Sequence, residues 1–230
     1  MDTIQTRYEA VQKAFEAACI KAGRDAGQVK LIAVSKNFPA EDIQKVYNLG
    51  QHRFGENRAQ EMAAKYPLLP QDIVWHFIGR LQRNKVKYII DKASMIHSVD
   101  RLDLAREISR QAAARQIQMP VLVQVNLEQE ETKAGFQQET LKQALTAIAA
   151  LPNLQIRGLM TIGPYHEDPE DSRPLFKRMK ALLDQAAQWQ IPGTVMDQLS
   201  MGMSHDFAVA IEEGATFVRV GSSIFGYRIY

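Results

Sequence analysis

Leu31-Ile32-Ala33-Val34-Ser35-Lys36 is the stretch that decides the architecture. Four apolar residues in succession leave no polar face, so as a strand the segment must be covered on both sides, as in a sheet wrapped by helices. Val121-Leu122-Val123 reads the same way. Outward from these, short apolar or β-branched runs recur at residues 31–35, 52–55, 75–78, 95–99, 121–125, 156–162, 198–200 and 217–220. Helical segments at 40–49, 101–115, 137–150 and 173–189 separate them, and Pro39, Asn57, Asn84, Asp100 and Pro174 are suitable cap or first-turn residues. Eight strands alternating with helices predict a parallel βα architecture. An open doubly wound sheet also satisfies the alternation. About 25 residues per unit suits a closed (β/α)8 TIM-type barrel better, since that fold usually takes ~250 residues. Ile4, Tyr8, Val11, Phe15 and Cys19 share one helical face, so an extra helix over 2–22 precedes the barrel. No Pro/Gly/Ser-rich linker interrupts the chain, and one domain spanning 1–230 is expected.

The bulk numbers narrow the function classes. A 46% hydrophobic, 23% charged composition is that of an ordinary globular protein. A net charge of +2 points to neither a nucleic acid nor an anionic membrane as partner. Cys19 stands alone, so no intramolecular disulfide forms and an oxidising compartment has no support. The N-terminal residues lack the basic and apolar regions of a signal peptide, and no apolar run is long enough to span a bilayer. A cytoplasmic monomer is the expectation.

Barrel chemistry sits where strands run into the following loops. Strand 1 ends in Ser35-Lys36, strand 2 in Gly55-Glu56-Asn57, strand 5 in Asn126 and strand 6 in Met160-Thr161. Strand 7 runs into Ser200-Met201-Gly202-Met203-Ser204, and strand 8 into Arg219-Val220-Gly221-Ser222-Ser223. Gly/Ser turns after strands 7 and 8 are where barrels build phosphate cradles from N–H groups and hydroxyls, although Gly and Ser there also serve simply as caps. Gly202 and Gly221 would let backbone approach a phosphate, and Ser200, Ser204, Ser222 and Ser223 could donate to it. Lys36, straight after an inward-facing strand, would carry its ammonium into the barrel mouth. Burial there would make it a nucleophile toward carbonyls, whereas by itself a strand-end lysine more often snorkels to solvent. A Schiff-base lysine and a phosphate cradle are the two anchors that pyridoxal phosphate needs. Arg219 shares a face with Gly221, because alternate strand residues point the same way. Set opposite a pyridine nitrogen, its guanidinium could donate but not accept a proton; the plainer alternative is an arginine paired with a carboxylate.

These residues fall into motifs that resemble the pyridoxal phosphate homeostasis proteins, relatives of the barrel domain of alanine racemases. The motifs are Ala33-Val34-Ser35-Lys36, Phe54-Gly55-Glu56-Asn57, His76-Phe77-Ile78-Gly79 with Leu81-Gln82 and Asn84-Lys85, and Val125-Asn126 with Lys133 and Gly135. Gly158-Leu159-Met160-Thr161, Leu199-Ser200-Met201-Gly202-Met203-Ser204 and Val218-Arg219-Val220-Gly221 with Phe225-Gly226 complete the set, in order along nearly the whole chain. The resemblance implies pyridoxal 5'-phosphate on Lys36, a phosphate site from Ser200, Ser204, Gly221 and Ser222, and Arg219 at the pyridine nitrogen. Asn57 and Met160 join the cofactor-binding residues on the same ground. It implies a carrier or regulator of cofactor supply, with apo-enzymes as candidate recipients and without turnover of its own.

The alternative is an amino-acid racemase on the same barrel. That chemistry needs a second acid/base group facing Lys36, and only Tyr165, Tyr227, Tyr230 and His76 are candidates. A phosphate-binding barrel enzyme without pyridoxal phosphate also fits the two turns but leaves Lys36 and Arg219 unexplained. His76, between Trp75 and Phe77, reads as a hydrogen-bonded residue of the barrel wall, and the five histidines show no metal-ligand spacing. Arg80, Arg83, Lys85, Lys87 and Lys92 read as a solvated basic face rather than a nucleic-acid site, and Cys19 as a small core residue.

Overall fold

The computed structural model describes residues 2–128 and 134–226. Among them eight parallel strands close into a barrel in sequence order. The strands are β1 (Lys30–Val34), β2 (Arg53–Glu56), β3 (Val74–Phe77), β4 (Ala93–Val99), β5 (Met119–Gln124), β6 (Leu154–Met160), β7 (Thr194–Ser200) and β8 (Phe217–Val220). β8 returns to β1 with Ala33 opposite Val220, so the sheet is closed and the open alternative is excluded. A closed sheet has no edge with unpaired backbone groups.

The helices are α1 (Ile4–Lys21), α2 (Ala40–Asn48), α3 (Ala59–Lys65), α4 (Leu102–Ala114), α5 (Gln138–Ala149), α6 (Arg173–Gln188), α7 (Phe207–Glu212) and α8 (Ser222–Phe225). The third unit crosses instead through a 3₁₀ helix at Arg83–Tyr88. The four long segments expected from periodicity appear within one residue at each end. The caps do not all follow. Pro39 is an N-cap, but Asn57 and Asp100 each precede one (Arg58 and Arg101), and Asn84 lies inside the 3₁₀ helix. Loop hydrogen bonding, invisible in composition, decides those single positions.

β7 also starts earlier than its apolar run. Met196 sits in the left-handed region (φ 51), and the β6–β7 register shifts there. That bulge breaks the alternation which would have marked Thr194–Asp197 as strand. Inside the barrel Ile32, Met95, Leu122, Met160 and Phe217 form one apolar layer, and the outward strand faces pack on the helices in a larger core. Cys19 is buried on the inner face of α1.

Candidate cofactor site

Each site residue sits where a strand ends, for the reason that parallel strands share one direction. Lys36 begins the turn after β1, Asn57 follows β2, Met160 and Ser200 close β6 and β7, and Gly221 and Ser222 follow β8. Arg219 lies on β8 with its side chain inside the barrel, 5% exposed.

Three contacts draw the first, seventh and eighth loops together. The Gly221 N–H donates to Ser204 Oγ at 3.0 Å, and Ser223 Oγ donates to the Ser204 carbonyl at 3.3 Å. Having accepted from Gly221, the Ser204 hydroxyl keeps its own hydrogen to donate outward. Phe38, in the loop that carries Lys36, stacks on Phe225 of α8 with ring centroids 5.0 Å apart. A β-carbon at Gly221 would stand 3.3 Å from both Cβ and the carbonyl oxygen of Val34, so β8 abuts the strand that delivers Lys36. Gly202 is held by its neighbours as well. Its φ is +84, and a β-carbon would fall 2.4 Å from Ala210 Cβ.

Arg219 is a buried cation whose bonds go to neutral acceptors. Nη1 donates to Ser200 Oγ at 2.7 Å and Nη2 to the Thr161 carbonyl at 2.8 Å. Among the described residues it makes no ion pair, which removes the alternative of a carboxylate-paired arginine. Burial lowers its pKa to about 10, so the guanidinium stays charged at neutral pH. Asp206 favours the charge from a distance without touching it, and a buried charge with no carboxylate in contact is costly; such groups concentrate at functional sites.

Two expectations need correction. Lys36 is exposed, so the burial invoked to activate its amine is not supplied by the chain's own atoms. It lies beyond the last paired residue of β1, in a turn closed by the Phe38 N–H on the Ser35 carbonyl at 3.1 Å. Ser200 is fully buried, and its hydroxyl is engaged by Arg219 and by His97 Nδ1 at 3.0 Å. It therefore sits below the turns, as a support for Arg219 rather than beside Ser204. Met160 belongs to the apolar layer inside the barrel, and Asn57 is half-buried with Oδ1 unpartnered.

The residues behind Lys36 went unread in the sequence. Ser35 Oγ donates to Glu56 Oε1 at 2.7 Å, and the Asn37 N–H donates to Glu61 Oε1. Lys65 Nζ joins both carboxylates. Burial raises the Glu56 pKa, and Lys65 pulls it back. A glutamate closing an apolar strand was the available signal. His97 was also missed; Met95 and His97 share a strand face, which places the imidazole inside.

The remaining candidates lie elsewhere. Tyr165 is 75% exposed, with its ring against His205 at 5.4 Å. Tyr227, Tyr230 and Lys133 lie outside the described residues. Among the basic residues Lys85 and Lys87 rest over the Tyr88 ring, and Arg80 and Arg83 face Asp100 and Asp103. Among the described residues no group of three His, Cys, Asp or Glu could hold a metal, and no helix is long and apolar enough to cross a membrane.

Comparison with known proteins agrees with this fold. Residues 11–229 match the family model described as alanine racemase, N-terminal domain. A pyridoxal phosphate homeostasis protein of Aquifex aeolicus is 48% identical over 225 residues, 97% of this chain and 98% of that one. The solved structure of PipY from Synechococcus elongatus, with PLP bound, superposes at a TM-score of 0.81 and 38% identity, covering 93% of this chain and all of that one (100%). Alanine racemase of Corynebacterium glutamicum shares the fold at a TM-score of 0.69 and 16% identity, over 96% of this chain and 61% of the racemase.

Proposed function

The chain belongs to the alanine racemase N-terminal domain family, within its pyridoxal phosphate homeostasis branch, and we propose that it holds pyridoxal 5'-phosphate on Lys36 as a Schiff base and serves as a carrier or regulator of that cofactor. The buried guanidinium of Arg219, without an ion pair among the described residues and two residues before Gly221 on the same strand face, carries the reading. A buried charge with no carboxylate in contact would be stabilised by an electron-rich ligand group beside it. The residues present fit the cofactor. The outward hydrogen of Ser204 and the Ser222 hydroxyl suit its phosphate, and the close approach at Gly221 leaves no side chain in the way.

When bound, the cofactor supplies an aldehyde carbon that condenses reversibly with primary amines. Lys36 provides the amine, and its exposure leaves it open to exchange with amines from solution. Arg219, held by Ser200 and the Thr161 carbonyl, would face the pyridine nitrogen as a donor that gives up no proton at neutral pH, and would leave the ring a poor electron sink. Met160 and Leu122, in the apolar layer inside the barrel, would keep water from the strand side of the site. The proposed recipients are apo-enzymes, the proposed state is one 1–230 domain acting as a monomer in the cytoplasm, and the relatives' role in homeostasis supports a protein without turnover.

Borohydride reduction followed by peptide mapping tests the reading. The expected result is a reduced adduct on the peptide containing Lys36 and none in Lys36→Ala. A Lys36→Ala protein that still traps the cofactor covalently sinks the assignment.

A further inference from the structure

Four strands contribute one inward polar side chain each, and they form a continuous chain across the barrel. His76 Nδ1 on β3 lies 3.0 Å from His97 Nε2 on β4, and His97 Nδ1 lies 3.0 Å from Ser200 Oγ on β7. Ser200 Oγ in turn accepts from Arg219 Nη1 on β8 at 2.7 Å. His76, His97 and Ser200 are each at most 3% exposed, so water does not substitute for any of these bonds. Both imidazole rings meet Phe217 near edge-on, at centroid distances of 5.3 and 5.1 Å, which fixes their planes.

Donor chemistry gives the chain a direction. Arg219 only donates, so Ser200 Oγ accepts from it and keeps one hydrogen to place. If that hydrogen goes to His97 Nδ1, His97 carries its proton on Nε2 and donates to His76 Nδ1. His76 Nε2–H is then the one donor left over, and that nitrogen is buried without a partner. The reverse direction leaves the Ser200 hydroxyl hydrogen stranded as well as His76 Nε2. A buried unmade bond costs about 1–3 kcal/mol, so the first direction prevails.

We propose that His97, held by His76, is a positioning residue that turns the Ser200 hydroxyl away from Arg219 and thereby aims the guanidinium at the cofactor ring. The inference rests on the reading of the preceding subsection. With a different side chain at 97, the Ser200 hydrogen would be free to swing toward the guanidinium, and the Arg219–Ser200 bond would be lost. The surroundings keep both rings neutral, as the direction requires. Burial lowers the His76 pKa to about 3, helped by Arg53 on β2 and Lys30 on β1. His97 falls well below its ordinary value through burial, with His76 and Arg219 adding to the effect.

The test compares His97→Asn, whose side-chain oxygen can stand where Nδ1 accepts, with His97→Leu, which offers no acceptor. Both are reconstituted with pyridoxal phosphate labelled with ¹⁵N in the ring. The expected result is a displaced ring-nitrogen resonance and on the order of tenfold weaker binding for His97→Leu, equivalent to about 1.4 kcal/mol. His97→Asn should stay near wild type. A folded His97→Leu with wild-type resonance and affinity overturns the proposal. A second measurement needs no variant and no cofactor: imidazole ¹⁵N–¹H correlation on the wild type should show Nε2–H and bare Nδ1 on both rings. A proton on His97 Nδ1 overturns the direction of the chain. Wild-type protein that takes up no pyridoxal phosphate overturns the preceding reading instead, and the tautomer result separates the two failures.

Discussion

Lys65 Nζ donates to the carbonyl oxygen of Ser35 at 2.9 Å, one peptide before Lys36. The same ammonium holds Glu56 and Glu61 at 2.7 Å each, and Glu61 in turn accepts from the Asn37 N–H. The residues on both sides of Lys36 are therefore pinned by one cation at the end of α3. Removing one partner of a buried ionic group typically costs 3–5 kcal/mol, because the other charges are left unpaired. Lys65→Met is expected to lose on the order of that amount in urea unfolding and to take up cofactor more weakly. Wild-type stability for Lys65→Met would show that the cluster does not support the loop.

Gly221→Val brings a branched side chain to a position where even the β-carbon would stand 3.3 Å from Val34. It is expected to weaken cofactor binding far more than Ser223→Ala, whose hydroxyl bonds the Ser204 carbonyl at 3.3 Å. A neutral hydrogen bond of that kind contributes only about 0.5–1.5 kcal/mol. Titration with pyridoxal phosphate reads both variants, and equal affinities for wild type and Gly221→Val would remove the phosphate from this turn.

The two barrel histidines predict an acid-sensitive fold. His76 is depressed to about 3 and His97 well below its ordinary value, whereas unfolded histidine titrates near ~6.5. Between these limits the unfolded chain binds more protons than the native one, so stability is fully present above ~6.5 and falls as pH drops, by about 1.4 kcal/mol per unit per histidine. Glu107, Glu170, Asp197 and Glu212 are held low by arginine or lysine partners and act in the same direction, only at more acid pH. Glu56 is raised and opposes them, its contribution fading as pH rises through its folded pKa. Urea unfolding between pH 5 and pH 7 should give a shallower slope for His97→Asn than for wild type. Identical slopes would mean that His97 is not buried neutral.

Turnover separates the carrier from a racemase. A two-base mechanism needs a second proton-transfer group opposite Lys36. Tyr165 faces solvent, and His76 lies inside the barrel as a weak base. Release of cofactor to an apo-enzyme is expected, without racemisation of common amino acids in a chiral assay at high protein concentration. Robust Lys36-dependent racemisation would promote the enzyme reading.

What the sequence conveyed well were features set by local periodicity. The barrel, the extra helix and helix limits within a residue all follow from runs such as Leu31–Val34 and the 3.6-residue spacing in α4. The positions of Lys36, Arg219 and Gly221 at the ends of β1 and β8 were legible because strand parity and strand ends are sequence properties. Lys65 and His97 were not, since their meaning comes from partners 30 and 103 residues away. Ser200 was placed with the wrong neighbours for a related reason. A strand-end serine reads alike whether its hydroxyl points up to the turn or down into the barrel.

Arg7 on α1 bonds the carbonyls of Ile224 and Phe225, at 3.0 and 3.3 Å, across a separation of 217 and 218 positions. Arg24 likewise reaches the carbonyls of Ile211 and Ala215, and β1 finds its second neighbour only in β8. The ring is thus joined between segments that a ribosome makes some two hundred residues apart. Contacts so distant in sequence form slowly, and those to Ile224, Phe225 and β8 cannot form before residues 217–226 have been made. Lys36 would emerge early yet wait for Arg219 and Gly221, so a nascent chain halted before that point should leave the cofactor free in solution.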